Sequence, residues 1–361
     1  MRLKRRNFLF RFGQLAFAYP FLFLQACSKA ARRSPEPNPV DPSSKNDKPA
    51  KSKFRLAFGS CAVQDLPQPI WKTILGKVPD VFVFLGDNIY ADTEDASEMR
   101  AKYEKLAKIP EFAEFRKRTS IIATWDDHDY GVNDGGVEYP MKEESKKIML
   151  DFFHEPELSK RRSRAGIYTS YFYGTSPHRV QMILLDLRWF RSKLKLNEKD
   201  EYVPQDDESL TLLGAEQWQW LEEQLKLPAD VRILASSIQL VATDHRWEKW
   251  ANFPHEKRRL FRLLDELQVK NLVVISGDMH YAELSLDHTP QGTPVYDLTS
   301  SGLNIFESAS DIPNAKRQAL YDTGSTFGFV DVEFGSDLNV ALEVYGHEGT
   351  AVIQHQLRLN N

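Results

Sequence analysis

Six stretches of the sequence place side chains that bind metal ions or move protons directly after an apolar run. "FRLAFGSC" ends at Ser60 and Cys61, "VFVFLGDNIY" at Asp87, Asn88 and Tyr90, and "SIIATWDDHDYGVND" at Asp126, Asp127, His128 and Asp129. "RVQMILLDLRWFR" ends at Asp186 and Arg188, "VRILASSIQL" presents Ser237 and Gln239, and "NLVVISGDMHYAEL" ends at Asp278, His280 and Tyr281. Singly, each is a weak signal. An Asp after a strand is most often a cap or turn residue, and His280 alone fits a hydrogen-bonded core histidine. Together they put a thiol, a phenol, several carboxylates and two imidazoles at equivalent positions. Burying so many ionisable groups is costly unless cations compensate them. The pattern therefore points to metal ions.

The elements that must position these residues follow from periodicity. Runs such as "VFVFL" have the length and composition of strands buried on both faces. "ASEMRAKYEKLAKIPEFAEFRKR", "GAEQWQWLEEQLK" and "PHEKRRLFRLLDELQVK" carry apolar residues at helical spacing. Strand and helix in alternation predict an α/β fold with a parallel or mixed sheet. Ligands in such sheets bind beyond the carboxyl ends of the strands, which is where every polar cluster above lies. "TFGFVDVEFGSDLNVALEVYGHEGTAVIQHQLRL" alternates apolar and polar residues between turn signals. It reads as three antiparallel strands that extend or cover a second sheet.

The 361 residues have a formal net charge of -4, which gives no field suited to a nucleic-acid duplex. The front end is of another kind. Arg5 and Arg6 precede an apolar stretch too short to stand as a transmembrane helix, so residues 1–27 read as an export signal of twin-arginine type. "LQAC" resembles a bacterial lipobox, with Cys27 as the lipidated mature N-terminus; a plain cleaved signal with an incidental cysteine is the alternative. Residues 28–53 are rich in Pro, Ser, Lys and Asp and read as a flexible linker with a reach of roughly 30 Å. Ser28 after the lipobox cysteine favours the outer membrane, so the expected location is the periplasmic face of the cell envelope. Residues 54–361 form the expected catalytic domain. The sequence has two cysteines, and with Cys27 lipidated Cys61 has no disulfide partner.

"GDNIY", "WDDHD" and "GDMH" resemble the ordered blocks of the metallophosphoesterases. With "GSC" and "GIYTSYFYG…LLDLRWFR", the chain more narrowly resembles the alkaline phosphatase D family, from about Phe54 to the C-terminal strands. "DHRWEKWANFPHEKRRLF" also resembles a family segment. The resemblance implies a four-layer α-β-β-α sandwich of metallophosphoesterase type, two mixed β-sheets flanked by helices, around a dinuclear or larger metal centre. It implies that Cys61, Asp87, Tyr90 and His280 bind ferric iron, and that Asp87 bridges to a second ion held by Asp127 and Asp278. That ion would be calcium, with other divalent ions as alternatives. Thiolate, phenolate and imidazole suit Fe3+, and carboxylates suit Ca2+. Asp127 and Asp278 stand where the wider superfamily has Asn and His, which favours calcium over zinc. His245 and Gln239 are both candidates for a further superfamily histidine position. Many family members carry an immunoglobulin-like domain ahead of the catalytic one; the short polar segment before Phe54 reads as a minimal form without it.

Two cations about 3.5–4 Å apart clamp a phosphate and activate a water between them. His128 is the expected proton donor to the leaving group. Arg188 is a candidate for bidentate binding of phosphate oxygens, and equally for a structural salt bridge to Asp186 or another acid. Asn88 and Asp129 are expected to fix the ligands by hydrogen bonds. The sequence thus predicts an envelope-anchored phosphoric ester hydrolase, first of all an alkaline phosphomonoesterase acting on a small phosphate ester. A phosphodiesterase or phospholipase taking nucleotide or phospholipid diesters is the close alternative. A non-catalytic metal- or phosphate-binding lipoprotein is disfavoured by His128, which binding alone does not need. "KRRSR", Lys160 to Arg164, reads as a solvated loop.

Overall fold

A computed structural model describes residues 52–359; the readings of an export signal, of Cys27 and of nearly all the linker lie outside the described residues. No helix among the described residues is long and apolar enough to cross a membrane. The chain runs β1 (Lys53–Gly59), α1 (Ile70–Gly76), β2 (Val81–Leu85), α2 (Ala96–Lys108), α3 (Pro110–Arg118), β3 (Ser120–Thr124), α4 (Asp127–Tyr130) and α5 (Lys142–Phe152). It continues through α6 (Lys160–Ser163), β4 (Thr169–Tyr173), β5 (Val180–Leu184), β6 (Lys195–Leu196), β7 (Tyr202–Val203), α7 (Gly214–Leu225), β8 (Val231–Ala235) and α8 (Pro254–Glu266). The last part holds β9 (Leu272–Ser276), β10 (Ala282–His288), β11 (Pro294–Ser300), β12 (Arg317–Tyr321), β13 (Thr326–Phe334), β14 (Leu338–Gly346) and β15 (Ala351–Leu359).

Two mixed sheets result, in the orders β15-β14-β13-β1-β2-β3 and β12-β10-β11-β9-β8-β5-β4. The alternation of side chains along a strand decides how they stack. Phe58, Val83 and Leu85 of the first sheet share one core with Met182, Ile233 and Ile275 of the second. Their neighbours Phe82 and Phe84 face the opposite way, onto Trp71, Phe112 and Phe115 of α1 and α3. Ile183, Leu234 and Val274 likewise turn outward onto Trp218 of α7 and Leu260 of α8. The sheets therefore lie face to face with helices outside, which is the four-layer sandwich expected.

Three details extend or correct the sequence expectation. The helical pattern over 96–118 breaks at Ile109, which is extended ahead of Pro110, because a residue before proline is driven out of helical geometry. The three C-terminal strands are antiparallel as predicted, and they extend the first sheet through the antiparallel pair of β13 with β1. "KRRSR" is not a solvated loop throughout: Arg161 is buried, donating to the carbonyls of Ala123 and Ile167 and pairing with Glu155.

The parallel strands β1, β2 and β3 end side by side, as do β5, β8 and β9, so the chemistry-bearing residues leave both sheets at one end. Gly86, just beyond β2, has φ +106° and a position where a Cβ would lie 2.4 Å from that of Asp126. Gly86→Ala combines an unfavourable backbone region with a backbone collision. It should lower unfolding stability by at least about 2 kcal/mol, measured by denaturant titration; an unchanged midpoint would contradict the close approach.

Candidate metal centre

Each of the loops leaving β1, β2 and β9 turns through a left-handed residue. Cys61 (φ 60°), Asp87 (φ 48°), Asp278 (φ 69°) and His280 (φ 60°) all lie there, a region that non-glycine residues occupy at a cost of about 1–3 kcal/mol each. The turns aim consecutive side chains into one space. Hydrogen bonds from the Cys61 N–H to the Gly86 carbonyl (3.3 Å) and from the Ala62 N–H to the Asp87 carbonyl (2.9 Å) lock two of the loops together.

Three groups of candidate donors share Asp87, one of them being Asp87, Asp127 and His128. On one side Cys61, Asp87 and His280 bring one donor atom each within 4.8 Å of the others. Cys61 Sγ lies 3.3 Å from Asp87 Oδ2, and Tyr90 OH lies 3.0 Å from His280 Nε2. On the other side Asp87, Asp126, Asp127 and Asp278 bring their carboxylates within the same limit. All six expected ligands are thus gathered in one place. Asp126 joins them, a residue the sequence reading left without a role; the doubled acid in "WDDHD" was its only signal.

These residues fit cations. Asp126 Oδ2 and Asp127 Oδ1 are buried and accept no hydrogen bond, although buried oxygens are normally satisfied. Burial, then the neighbouring Cys61, raises the Asp87 pKa well above the ordinary carboxylate value. Burial pushes the Cys61 thiol up to about 11, with Asp278 adding to it, and likewise raises the Tyr90 phenol. Asp127 goes the other way: burial opposes its ionisation, but His128 and Arg188 outweigh burial and hold it well below the usual range. Without cations the site strains against its own charge, and uptake of a cation by thiol and phenol would release protons.

Around the ligands, Asp129 acts as a seat for both loops. It accepts the backbone N–H of Asp87 (3.1 Å) and of Asp126 (2.8 Å), the Asn88 amide (2.5 Å) and the Tyr103 hydroxyl (3.2 Å). Asn88 also donates to the Thr124 carbonyl at 2.9 Å, tying β2's end to β3. Ser301, after β11, donates to or accepts from the Cys61 sulfur at 3.1 Å and accepts the His280 N–H at 2.9 Å. His128 sits at the rim with its Nδ1 2.7 Å from Asp92 Oδ1 and its ring 4.3 Å from that of Tyr90. Burial opposes a charge on His128, but Asp127, Asp87 and Asp92 overcome it and raise its pKa well above the imidazole norm. Asp92 closes the "GDNIYAD" stretch, and sequence alone did not pair it with His128.

Arg188 does not face the open site. It is fully buried, with Nε on Asp126 (2.5 Å) and Nη1 on Glu248 (2.5 Å). This corrects the expectation of a phosphate clamp: the guanidinium is taken up by protein carboxylates, the salt-bridge alternative, with Asp126 and Glu248 rather than Asp186 as partners. Gln239 donates its amide to Glu283 (3.0 Å) and Thr299 (2.9 Å) in the second sheet. His245 is buried with neither ring nitrogen hydrogen-bonded, and it belongs to none of the ligand groups.

Two face-to-face mixed sheets, helices outside, and acids from the strand ends of both sheets define a metallophosphoesterase-type fold. The same fold is found in a solved structure of PhoD (TM-score 0.67, 17% identity, 86% of this chain and 72% of that one). It also occurs in a purple acid phosphatase isolated from yellow lupin (Lupinus luteus) seeds (TM-score 0.60, 12% identity, 85% and 54%). Within that class the chain belongs to the PhoD-like phosphatase family, whose model matches residues 56–337. It is 25% identical over 209 residues to alkaline phosphatase D of Bacillus subtilis (strain 168), covering 51% of this chain. It spans about a third of that relative's length, 35%.

Cys61→Ala should abolish the uptake of a metal ion by the Cys61–Asp87–His280 group while the fold persists, as read by metal analysis and circular dichroism. Full metal content in the variant would remove the thiolate from the ligand set.

Proposed function

We propose that the chain is a metal-dependent phosphoric ester hydrolase, most simply an alkaline phosphomonoesterase. The observation that carries this reading is the set of ligand groups sharing Asp87, with His128 at their rim. Cys61, Asp87, Tyr90 and His280 would hold ferric iron. Asp87, Asp127 and Asp278, joined by Asp126, would hold calcium or another hard divalent ion. When bound, the cations supply Lewis acidity toward the phosphate and lower the pKa of water held between them.

The protein's own groups do the rest. Asp92 fixes the His128 ring through Nδ1, which leaves Nε2 as the nitrogen that donates a proton to the departing oxygen. Asp129, itself braced by the Asn88 amide, holds the backbone of Asp87 and Asp126 so that the carboxylates do not shift as charge builds up. Loop 131–139 is tied to the ligands by the Asp134 N–H on Asp127 Oδ2 at 2.6 Å. Substrate choice, including a nucleotide or phospholipid diester instead of a monoester, rests with this loop and with 197–207.

The reading of residues 1–27 as an export signal is consistent with a role in releasing phosphate outside the cytoplasm. The paired Arg5–Arg6 and the "LQAC" block make Cys27 the proposed lipid anchor, on the outer membrane. Cys27→Ser should then move the protein from the membrane fraction to the soluble fraction; retention on the membrane would remove the anchor from the proposal.

The assay for the activity compares kcat/KM for p-nitrophenyl phosphate and bis-p-nitrophenyl phosphate on full-chain protein supplied with iron and calcium. A strong monoester preference is expected. A diester preference would replace the monoesterase reading, and hydrolysis of neither would leave a binding protein. His128→Asn should cost about 10²- to 10⁴-fold in kcat for an alkyl phosphate and far less for p-nitrophenyl phosphate, whose leaving group needs no proton. Equal losses on both would reassign His128.

A further inference from the structure

Arg188 poses a physical problem for any cation held by the acidic group. Its Nη2 lies 3.8 Å from Asp127 Oδ1, and its Nε is 2.5 Å from Asp126 Oδ1. A fixed positive charge so close to two ligand carboxylates competes with the ion they would bind, and strongly so in a buried setting.

Glu248 answers it. This residue lies between β8 and α8, is only 2% exposed, and spans two arginines: Oε2 is 2.5 Å from Arg188 Nη1 and Oε1 is 2.9 Å from Arg191 Nε. Arg191 is itself buried and donates to the carbonyl of Asp134. The N–H of that same Asp134 donates to Asp127 Oδ2. The contacts close into a ring through Glu248, Arg188, Asp126 and Asp127, Asp134 and Arg191. The ring carries two arginines and four carboxyl groups, those of Glu248, Asp126, Asp127 and Asp134, the last accepting from the Tyr202 hydroxyl at 2.8 Å. Removing the charge of Glu248 would leave Arg188 to the ligand carboxylates and would take from Arg191 the carboxylate that pairs with it.

We propose that Glu248 is a positioning residue for the acidic group: by sharing the charge of Arg188 and holding Arg191 beside Asp134 it keeps Asp126 and Asp127 oriented and open to a cation, and so sets the affinity of that group for a divalent cation. This rests on the reading of Asp87, Asp126, Asp127 and Asp278 as a cation site. The side chains of Cys61, Tyr90 and His280 make their hydrogen bonds to Ser60, Ser301, Asp87 and one another rather than to the ring, so this side should respond to Glu248 far less than the acidic group does.

The test titrates calcium calorimetrically into chelator-treated, iron-retaining full-chain protein, wild type and Glu248→Gln, and follows the visible absorption of thiolate- and phenolate-bound iron in the same samples. The expected result is a calcium affinity about 10- to 100-fold weaker with the iron absorption retained. Because Glu248→Gln disturbs a buried ion cluster, the double variant Glu248→Gln/Arg191→Gln is measured beside it. Restoring the charge balance should recover part of the lost affinity, whereas a merely structural role predicts a further loss. Unchanged calcium affinity in Glu248→Gln, parallel loss of the iron absorption, or a double variant weaker than the single one would each overturn the proposal. Wild-type protein that holds iron but takes up no calcium would instead overturn the underlying reading of the acidic group, and this proposal with it.

Discussion

The repulsion among Asp87, Asp126, Asp127 and Asp278 is the constraint on which the site depends. Four carboxylates converge in a space largely closed to water, where like charges cannot all remain ionised without compensation. Burial raises the Asp87 and Asp126 pKa values well above the ordinary range, and the neighbouring acids add to it. The protein answers with donors and cations of its own. Asp129 anchors the backbone, Arg188 partly compensates Asp126 and Asp127, and Asp134 caps one oxygen of Asp127. The compensation is incomplete, because Asp126 Oδ2 and Asp127 Oδ1 keep no hydrogen-bond donor. That remainder is what a hard cation would supply.

Holding such a group together demands a rigid frame, and the two sheets provide it. Their strand ends meet closely: at Gly277, after β9, a Cβ would lie 2.4 Å from Ser60 Oγ, after β1. Ser60 and Ser301 hydroxyls bond across the same seam at 3.2 Å. The left-handed residues at Cys61, Asp87, Asp278 and His280 are strained individually, and they persist because the well-packed strands behind them leave the loops little freedom. Packing energy in the shared core is thereby converted into geometry at the site.

The site also divides into halves of different character. The Cys61–Tyr90–His280 side is built from a thiol, a phenol and an imidazole, none of them a carboxylate, and is supported by Ser60 and Ser301. The carboxylate side is built from hard anions and supported by buried arginines. One bridging residue, Asp87, joins them. A centre with such unlike halves suits two ions of different charge and hardness, and phosphate, which presents several oxygens, is a ligand able to touch both.

Much of this was legible in the sequence, because it depends on local order. Apolar runs followed by acids located the strand ends, and the existence of the three strands β13, β14 and β15 follows from alternation and turn residues alone. All six expected ligands come together, since each is fixed within a few residues of its own strand. What the sequence left open depends on pairs distant along the chain. Asp126 looked like its neighbour Asp127, and only the fold shows both in one carboxylate group. Arg188 had the right chemistry for phosphate, but its partners Asp126 and Glu248 lie 62 and 60 residues away, and their contact turns it inward. Asp92 carries no local sign that it meets His128. Strand and motif are written in short-range pattern; which charge faces which is settled only when two sheets pack, because the energy of a buried charge depends on everything brought around it.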